Sequence, residues 1–281
     1  MSPLPKKILL ATDGSEDARL AARAAANLRE RTGAELHVVH AWQAVPHPVV
    51  DPDYYEEGAR QLLEVETEFI SSSGAAVSGA HLIMGTPVDA ILDLAEEIGA
   101  DLIVVGSRGH GPLGRLILGS VSEGVVHHAT RPVLVLRGAW PPERIVIGDD
   151  GSEAAREAGE LASSIGRLFG AHGVLVRAYP ELPEVDRIGR ALDPRAVDDA
   201  LHRAERDLHE RGEELDRPRI EIAAGDAATA LLEKAREGDE TRTLIAVGSR
   251  GLTRRLRLGS VSTKVLRAAV GPVLVYPRDG T

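Results

Sequence analysis

Cysteine is absent from the 281 residues. That removes disulfides, thiolate metal sites, iron–sulfur clusters and cysteine nucleophiles from consideration. Aromatic residues number only eight, two Phe, two Trp and four Tyr, too few for a surface on which nucleic-acid bases stack. Long hydrophobic runs are missing too. The N-terminal stretch MSPLPKKILLATDGSE offers only a few apolar residues before Asp13, short of a signal-peptide core or a membrane span, so a soluble cytoplasmic protein is expected. Positive charge is in deficit, with 33 Lys and Arg against 43 Asp and Glu and a formal net charge of −10. The deficit is uneven: residues 1–140 carry 11 basic and 18 acidic side chains (−7), the remainder 22 and 25 (−3). Such a chain has no global attraction for nucleic acid or an anionic membrane, so any anionic ligand must be held by a local site.

What is present is an ordinary globular composition, 43% hydrophobic and 27% charged, long enough for two domains that each bury a core. The sequence repeats itself. Residues 7–42 (KILLATDGSEDARLAARAAANLRERTGAELHVVHAW) align without gaps on residues 144–179 (RIVIGDDGSEAAREAGELASSIGRLFGAHGVLVRAY) at a constant offset of 137. The match resumes at DLIVVGSRG against TLIAVGSRG, at LGSVS in both copies, and at RPVLVL against GPVLVY. Between the copies lies Arg137-Gly-Ala-Trp-Pro-Pro142, whose adjacent prolines preclude a continuing helix or ladder and make a short, stiff linker. The expected domains are therefore 1–139 and 142–281.

Within the first copy, apolar runs alternate with helix punctuation. Residues 8–11 form a short apolar strand of the kind buried on both faces. Ser15 then caps a helix that runs to about Thr32, with Leu20, Ala24 and Leu28 on one face and Gly33 as its left-handed stop. A second strand covers 36–42 and a loop 46–52. Residues 54–72 read as a helix through Leu62, Leu63, Val65, Phe69 and Ile70. A third strand at 81–84 leads to Thr86 and Pro87, cap and first residue of a helix with Ile91, Leu92, Ala95 and Ile98 inward and Gly99 at its end. The fourth strand is 102–105, the last helix about 120–129 and the fifth strand 133–136. The unit is (βα)₄β, and copy two repeats it. Strands alternating with helices imply right-handed crossovers and a doubly wound, five-stranded parallel sheet.

With strand order 3-2-1-4-5, ligands sit beyond the carboxyl ends of strands 1 and 4, where the winding reverses. Those ends read Thr12-Asp13-Gly14 and Gly106-Ser-Arg-Gly109, and the second loop closes on Gly119-Ser120 at a helix start. Glycines let backbone amides approach a ligand, and a helix N-terminus adds unsatisfied N–H groups, so the combination reads as an anion cradle.

Gly106-x2-Gly109-x9-Gly119-Ser120, following an aspartate at the end of strand 1, resembles the ATP-binding motif of the universal stress protein family. ATDGS, GADLIVVGSRG, LGSVS and the terminal PVLVL occur in that family's order, and the resemblance covers both halves. It implies that Asp13 and the backbone around Thr12 and Ala41 contact adenosine. It further implies that Gly106, Gly109, Gly119, Ser120 and Val121 hold ribose and phosphates, usually with a magnesium ion (Mg2+). By the same token the two copies join through their last strands as a pseudo-dimer, with a homodimer of the whole chain left open. The function implied is an ATP-binding regulatory protein of the stress response, acting through a protein partner. Alternatives are a slow ATP-hydrolysing or phosphate-transferring enzyme, with Asp13, Asp149 or Asp150 on the metal, and a dimerisation module that binds no nucleotide. No oriented base is evident in the sequence, so turnover is expected to be slow or absent.

Copy two departs from the pattern. Asp150 and Ala178 replace Asp13 and Ala41, while Gly248-x2-Gly251 is followed by seven residues rather than nine before Gly259, Ser260 and Val261. The two lost residues fall at His110-Gly111-Pro112, and Arg250, Arg254, Arg255 and Arg257 crowd the shortened loop. They read as a phosphate clamp, a solvated basic face or a contact with the other half. The second site is expected to accept adenosine and a proximal phosphate, with stronger salt dependence and weaker discrimination of ATP from AMP.

Other motifs fail in context. Gly109-His-Gly-Pro-Leu-Gly114 matches G-x-G-x-x-G but follows the fourth strand, contains Pro112 and lacks the following acidic residue. A Walker A loop is excluded because Arg115-Leu116 follows Gly114. His37 and His40 point to opposite strand faces, and His127 and His128 adjoin near a helix end, so neither pair suggests a metal. Ser120 and Ser122 lack a nucleophile elbow, and capping is the expected role.

Overall fold

The structure, a computed structural model, describes residues 4–44, 52–109, 118–179, 194–215, 218–249 and 259–277. Residues 46–51 of the loop expected at 46–52, the His110-Gly111-Pro112 segment, Gly251, and Arg250, Arg254, Arg255 and Arg257 lie outside the described residues, and Pro52 opens a helix instead.

The first half runs β1 (Lys7–Ala11), α1 (Glu16–Thr32), β2 (Glu35–Trp42), α2 (Pro52–Ser72), β3 (Gly79–Met84), α3 (Pro87–Glu97), β4 (Leu102–Gly106), α4 (Ser120–His128) and β5 (Val133–Leu136). The second repeats it as β6 (Arg144–Gly148), α5 (Glu153–Phe169), β7 (His172–Tyr179), α6 (Pro194–Glu214), β8 (Arg219–Ala224), α7 (Ala227–Arg236), β9 (Thr243–Gly248), α8 (Ser260–Ala268) and β10 (Val273–Tyr276). The sheet order is β3-β2-β1-β4-β5-β10-β9-β6-β7-β8. Each half is therefore a 3-2-1-4-5 sheet, parallel within itself. The halves meet where β5 and β10 pair antiparallel, Leu134 opposite Leu274, the arrangement a pseudo-twofold axis requires.

Side chains alternate across the sheet and build two cores. Ile8, Leu10, Leu36 and Val38 join α1 and α2 on one face, and Leu9, Val39, Ile103 and Val105 join α3 and α4 on the other; both cores continue across the seam into the second half. Strands buried on both sides explain the unbroken apolar runs KILLA, LIVVG and VLVL. The cap of α1 is as expected: the Ser15 side chain accepts from Ala18 N, and Gly33 ends the helix at φ 73°.

In α2, Val65 is 51% exposed and Glu66 is buried, because Leu63, Glu66 and Ile70 at spacings of three and four share the inner stripe while Val65 lies one position off it. The capping expectation is corrected: Ser120 and Ser122 do not cap α4. The N-cap is Gly119, with no side-chain bond, and the Ser122 hydroxyl donates to the carbonyl of Gly106 at 2.6 Å.

The linker packs rather than spans. Ala139 N donates to Thr241 O at 2.9 Å, Trp140 meets Phe169 edge to face at 5.3 Å, and Arg31 of α1 lies over the same Phe169 ring. Arg137, just after β5, is buried and donates to Ala269 O at the end of α8. Burial lowers its pKa to about 10, although Asp17 favours the charged form.

Candidate functional site

The winding reversal after β1 and β4 leaves a crevice, and a set of short hydrogen bonds ties its two loops together. Asp17 in the first turn of α1 accepts from the Ser107 hydroxyl at 2.6 Å and from both ends of the Arg108 fork at 2.9 and 3.1 Å. These bonds hold the Arg108 pKa above the ordinary arginine value. The Ser15 hydroxyl donates to Arg108 O at 3.1 Å, and Gly119 N donates to Ser107 O at 2.8 Å. Asp13 is oriented by its Oδ1, which accepts from Ser15 N at 3.0 Å.

Glycines make this closeness possible. A Cβ on Gly106 would stand 2.6 Å from Ala18 N and Asp17 C, so the end of β4 lies directly on the first turn of α1. A Cβ on Gly109 would run into Asp13 Oδ2, and one on Gly119 would stand 3.2 Å from Ser107 O. Part of the glycine pattern thus serves contact between loops, in addition to the ligand approach that the sequence suggests.

The crevice opens into a cavity of about 280 Å³. Thr12, Asp13 and Ala41 line one side, and Gly106, Gly109, Gly119, Ser120 and Val121 the other, so all eight first-copy residues singled out in the sequence converge. Behind them, the Thr12 hydroxyl donates to the buried Glu66 at 3.3 Å, and Arg19 Nε donates to Glu66 at 3.1 Å. His40 is turned away, its Nδ1 donating to Thr12 O at 2.9 Å. The free end of α4 faces the cavity: its N-cap offers no side-chain acceptor, and Ser120 and Val121 line the opening, leaving their N–H groups and the helix dipole for an anion.

The second half forms the corresponding cavity, about 440 Å³, within the range of small-molecule sites. Asp150, Ala178, Gly248, Gly259, Ser260 and Val261 line it; Gly251 is not among the described residues. Asp150 repeats the role of Asp13, accepting from Ser152 N at 2.9 Å. Gly248 repeats that of Gly106, a Cβ there standing 2.5 Å from Ala155 N. Ser262 donates to Gly248 O at 2.8 Å as Ser122 does to Gly106 O.

Sequence reading missed other lining residues. Pro87 and Ile91 of α3 and Arg108 close the first cavity; Arg177 and Tyr179 enter the second, beside Asp149, which the sequence offered only as a metal-holding alternative. A signal existed for Arg177, a lone arginine in the strand HGVLVRAY, but its pairing with Asp149 depends on how β6 and β7 lie together.

A family model described as the Universal stress protein family matches this chain twice, at residues 5–137 and 142–277. The chain belongs to the universal stress protein family. A universal stress protein of Mycobacterium bovis is 30% identical over 259 residues, covering 85% of each chain. The crystal structure of a universal stress protein from Archaeoglobus fulgidus DSM 4304 shares the fold, with TM-score 0.72 and 23% identity over 98% of this chain and 99% of that one. A universal stress protein solved in complex with cAMP matches 47% of this chain and 97% of its own at 26% identity, TM-score 0.39. Among the described residues, no helix is long and apolar enough to cross a membrane.

Proposed function

We propose that this universal stress protein binds nucleotides at its two switch-point cavities, ATP in the first half, and acts as a regulatory module whose occupancy alters its interaction with a partner. The domains are taken as 1–139 and 142–281. The observation that carries the reading is the uncapped N-terminus of α4 opening onto a cavity with Asp13 on the opposite side. Phosphates fit the helix terminus by dipole and free N–H groups, and the ribose hydroxyls fit Asp13, which accepts hydrogen bonds only.

A magnesium ion accompanying the phosphates would find Asp13 as its carboxylate, because Asp17 is taken by Ser107 and Arg108. One carboxylate with phosphate oxygens and water is an ordinary environment for that ion, which would neutralise phosphate charge.

Calorimetric titration of the intact chain with ATP tests the reading, with micromolar-class affinity expected. Ala41→Phe fills the first cavity from a strand position that tolerates an aromatic ring and should remove binding there. It is a cleaner block than a change at Gly119, whose Cβ meets backbone. Heat of binding absent from the wild-type chain, or unchanged in Ala41→Phe, overturns the assignment. Turnover is expected to be slow; fast, saturable phosphate release that an Asp13→Asn variant abolishes would move the protein to the enzyme class.

A further inference from the structure

The first half holds its glycine loop with an acid that the second half lacks. The gapless alignment of the helix starts puts Ala154 where the first half has Asp17, while the shared VGSRG keeps Ser249 and Arg250 in the places of Ser107 and Arg108. The fold itself does not require the acid. Ser152 caps α5 as Ser15 caps α1, its side chain accepting from Ala155 N. The strand end lies on the helix start in both halves: a Cβ on Gly248 would stand 2.5 Å from Ala155 N, and one on Gly106 2.6 Å from Ala18 N. Ser262 repeats the bond of Ser122 to that strand end. The same packing is thus reached with alanine as with aspartate, and the reason for the carboxylate lies in what it touches.

It touches the limb between β4 and Gly109. Asp17 Oδ2 accepts from the Ser107 hydroxyl at 2.6 Å and from Arg108 Nε at 2.9 Å, and its Oδ1 accepts from Arg108 Nη2 at 3.1 Å. Ser15, two residues before it, donates to Arg108 O, and Ser107 O accepts from the N–H of Gly119. Ser107 and Arg108 are therefore clamped between the start of α1 and the end of α4 that faces the cavity. Arg108 lines that cavity with its side chain 34% exposed. The fork on Asp17 uses Nε and Nη2 and leaves Nη1 out of it.

We propose that Asp17 is a positioning residue for the phosphates of a nucleotide in the first cavity: it fixes Ser107 and Arg108 so that the loop is already shaped when the ligand arrives, without itself touching the ligand. A loop that must order on binding subtracts that ordering from the affinity, and it does so for the group the loop contacts, the phosphates, rather than for adenosine beside Asp13 and Ala41. The inference rests on the reading of the first cavity as an ATP site. It makes Asp17 one source of the sharper ATP discrimination expected of the first half, since Ala154 can hold no such limb.

The test uses the full chain with the second cavity closed by Ala178→Phe, titrated calorimetrically with ATP and with adenosine. Asp17 also favours the charged form of the buried Arg137, so its loss carries a stability cost of its own, and the readout is the ratio of the two affinities. Asp17→Asn keeps the size and an acceptor for Ser107 but gives up the charge facing Arg108. ATP should bind weaker by roughly tenfold or more, the worth of one hydrogen bond to a charged group, with adenosine nearly unchanged. Arg108→Gln should show the same selective loss, and adding Asp17→Asn to it should cost far less than Asp17→Asn does alone, because the acid acts through the arginine. Equal losses of ATP and adenosine, or additive losses in the double variant, overturn the proposal and leave Asp17 a support of the helix start. Tighter ATP binding in Asp17→Asn also overturns it and makes Asp17 a restraint on Arg108. Should Asp17→Asn lose its native circular dichroism spectrum, Arg108→Gln decides: a loss shared equally by adenosine overturns the proposal. Absence of ATP binding to the wild-type chain removes the functional reading itself.

Discussion

Asp149 shows how one residue separates two otherwise matched halves. Its side chain is 1% exposed and its charge is balanced by Arg177, itself only 11% exposed. Removing one member of such a pair leaves the other charge buried and uncompensated, at a cost of about 3–5 kcal/mol. Asp149→Ala should therefore lower the denaturant midpoint of the second half strongly. Thr12→Ala, which removes a hydroxyl that bonds Glu66, should cost only about 1–2 kcal/mol. Equal and small effects would mean that water reaches Asp149. A different residue effect concerns pH. His37 and His81 stack across β2 and β3 with ring nitrogens 3.0 Å apart. Burial, with His37 adding to it and Glu97 opposing, pushes the His81 pKa below the usual 6.5. Between the lowered value and 6.5 the unfolded chain binds more protons than the folded one, so stability is full above about pH 6.5 and falls as pH drops through that window. Thermal melting from pH 7.5 to 5.5 should show this loss, and His81→Gln should flatten it; an unchanged slope in the variant would assign the loss elsewhere.

Among the elements, β4 and α1 were legible as strand and helix, and their contact was not. The apolar run 102–105 and the Ser15 and Gly33 punctuation declare the elements. That Gly106 lies against Ala18 N emerges only when β4 is laid beside β1. Gly106→Ala must push backbone apart and should cost about 1–3 kcal/mol, with ATP affinity falling as the Asp17–Arg108 clasp shifts. Gly33→Ala, with nothing within 4 Å of its Cβ but φ at 73°, should cost about 1–2 kcal/mol from the left-handed backbone alone and leave ATP binding unchanged. Urea unfolding and ATP titration of the two variants separate these cases; a loss of binding in Gly33→Ala would contradict the local role given to Gly106. The second helix was the least legible, since Glu66 takes an inward position that hydrophobicity alone assigns to a neighbour.

At the scale of the molecule, β5 and β10 turn two sheets into one of ten strands. Additional ties cross the seam: Arg267 of α8 donates to Glu123 of α4 at 2.6 Å, and Arg31 of α1 donates to Leu168 O at 2.6 Å. Residues 1–139 expressed alone would leave the buried, apolar β5 with a bare edge, and such edges pair. That fragment is expected to sediment as a dimer, one copy's β5 standing in for β10; a monomer at high concentration would show that the linker and helix contacts, rather than the strand edge, join the halves. Trp140→Ala in the full chain, which removes a partly buried ring packed on Phe169, should cost less than the about 3–5 kcal/mol of a fully buried aromatic, read from the unfolding midpoint.

The sequence by itself determined whatever depends on local or periodic information. It declared the duplication, the strand–helix alternation, the caps at Ser15 and Gly33 and the switch-point placement of Asp13 and Gly119, because turns, caps and crossovers follow from short stretches of chain and from the handedness of parallel sheets. The tertiary structure alone decided what depends on which strands become neighbours. Thr12 and Asp149 sit at the same step of the repeat, yet one meets a buried glutamate and the other two arginines, because those partners come from helices and strands whose approach is fixed only by the packed core. Charge in a cavity is a property of side chains converging from several elements, and no window of the sequence contains them together.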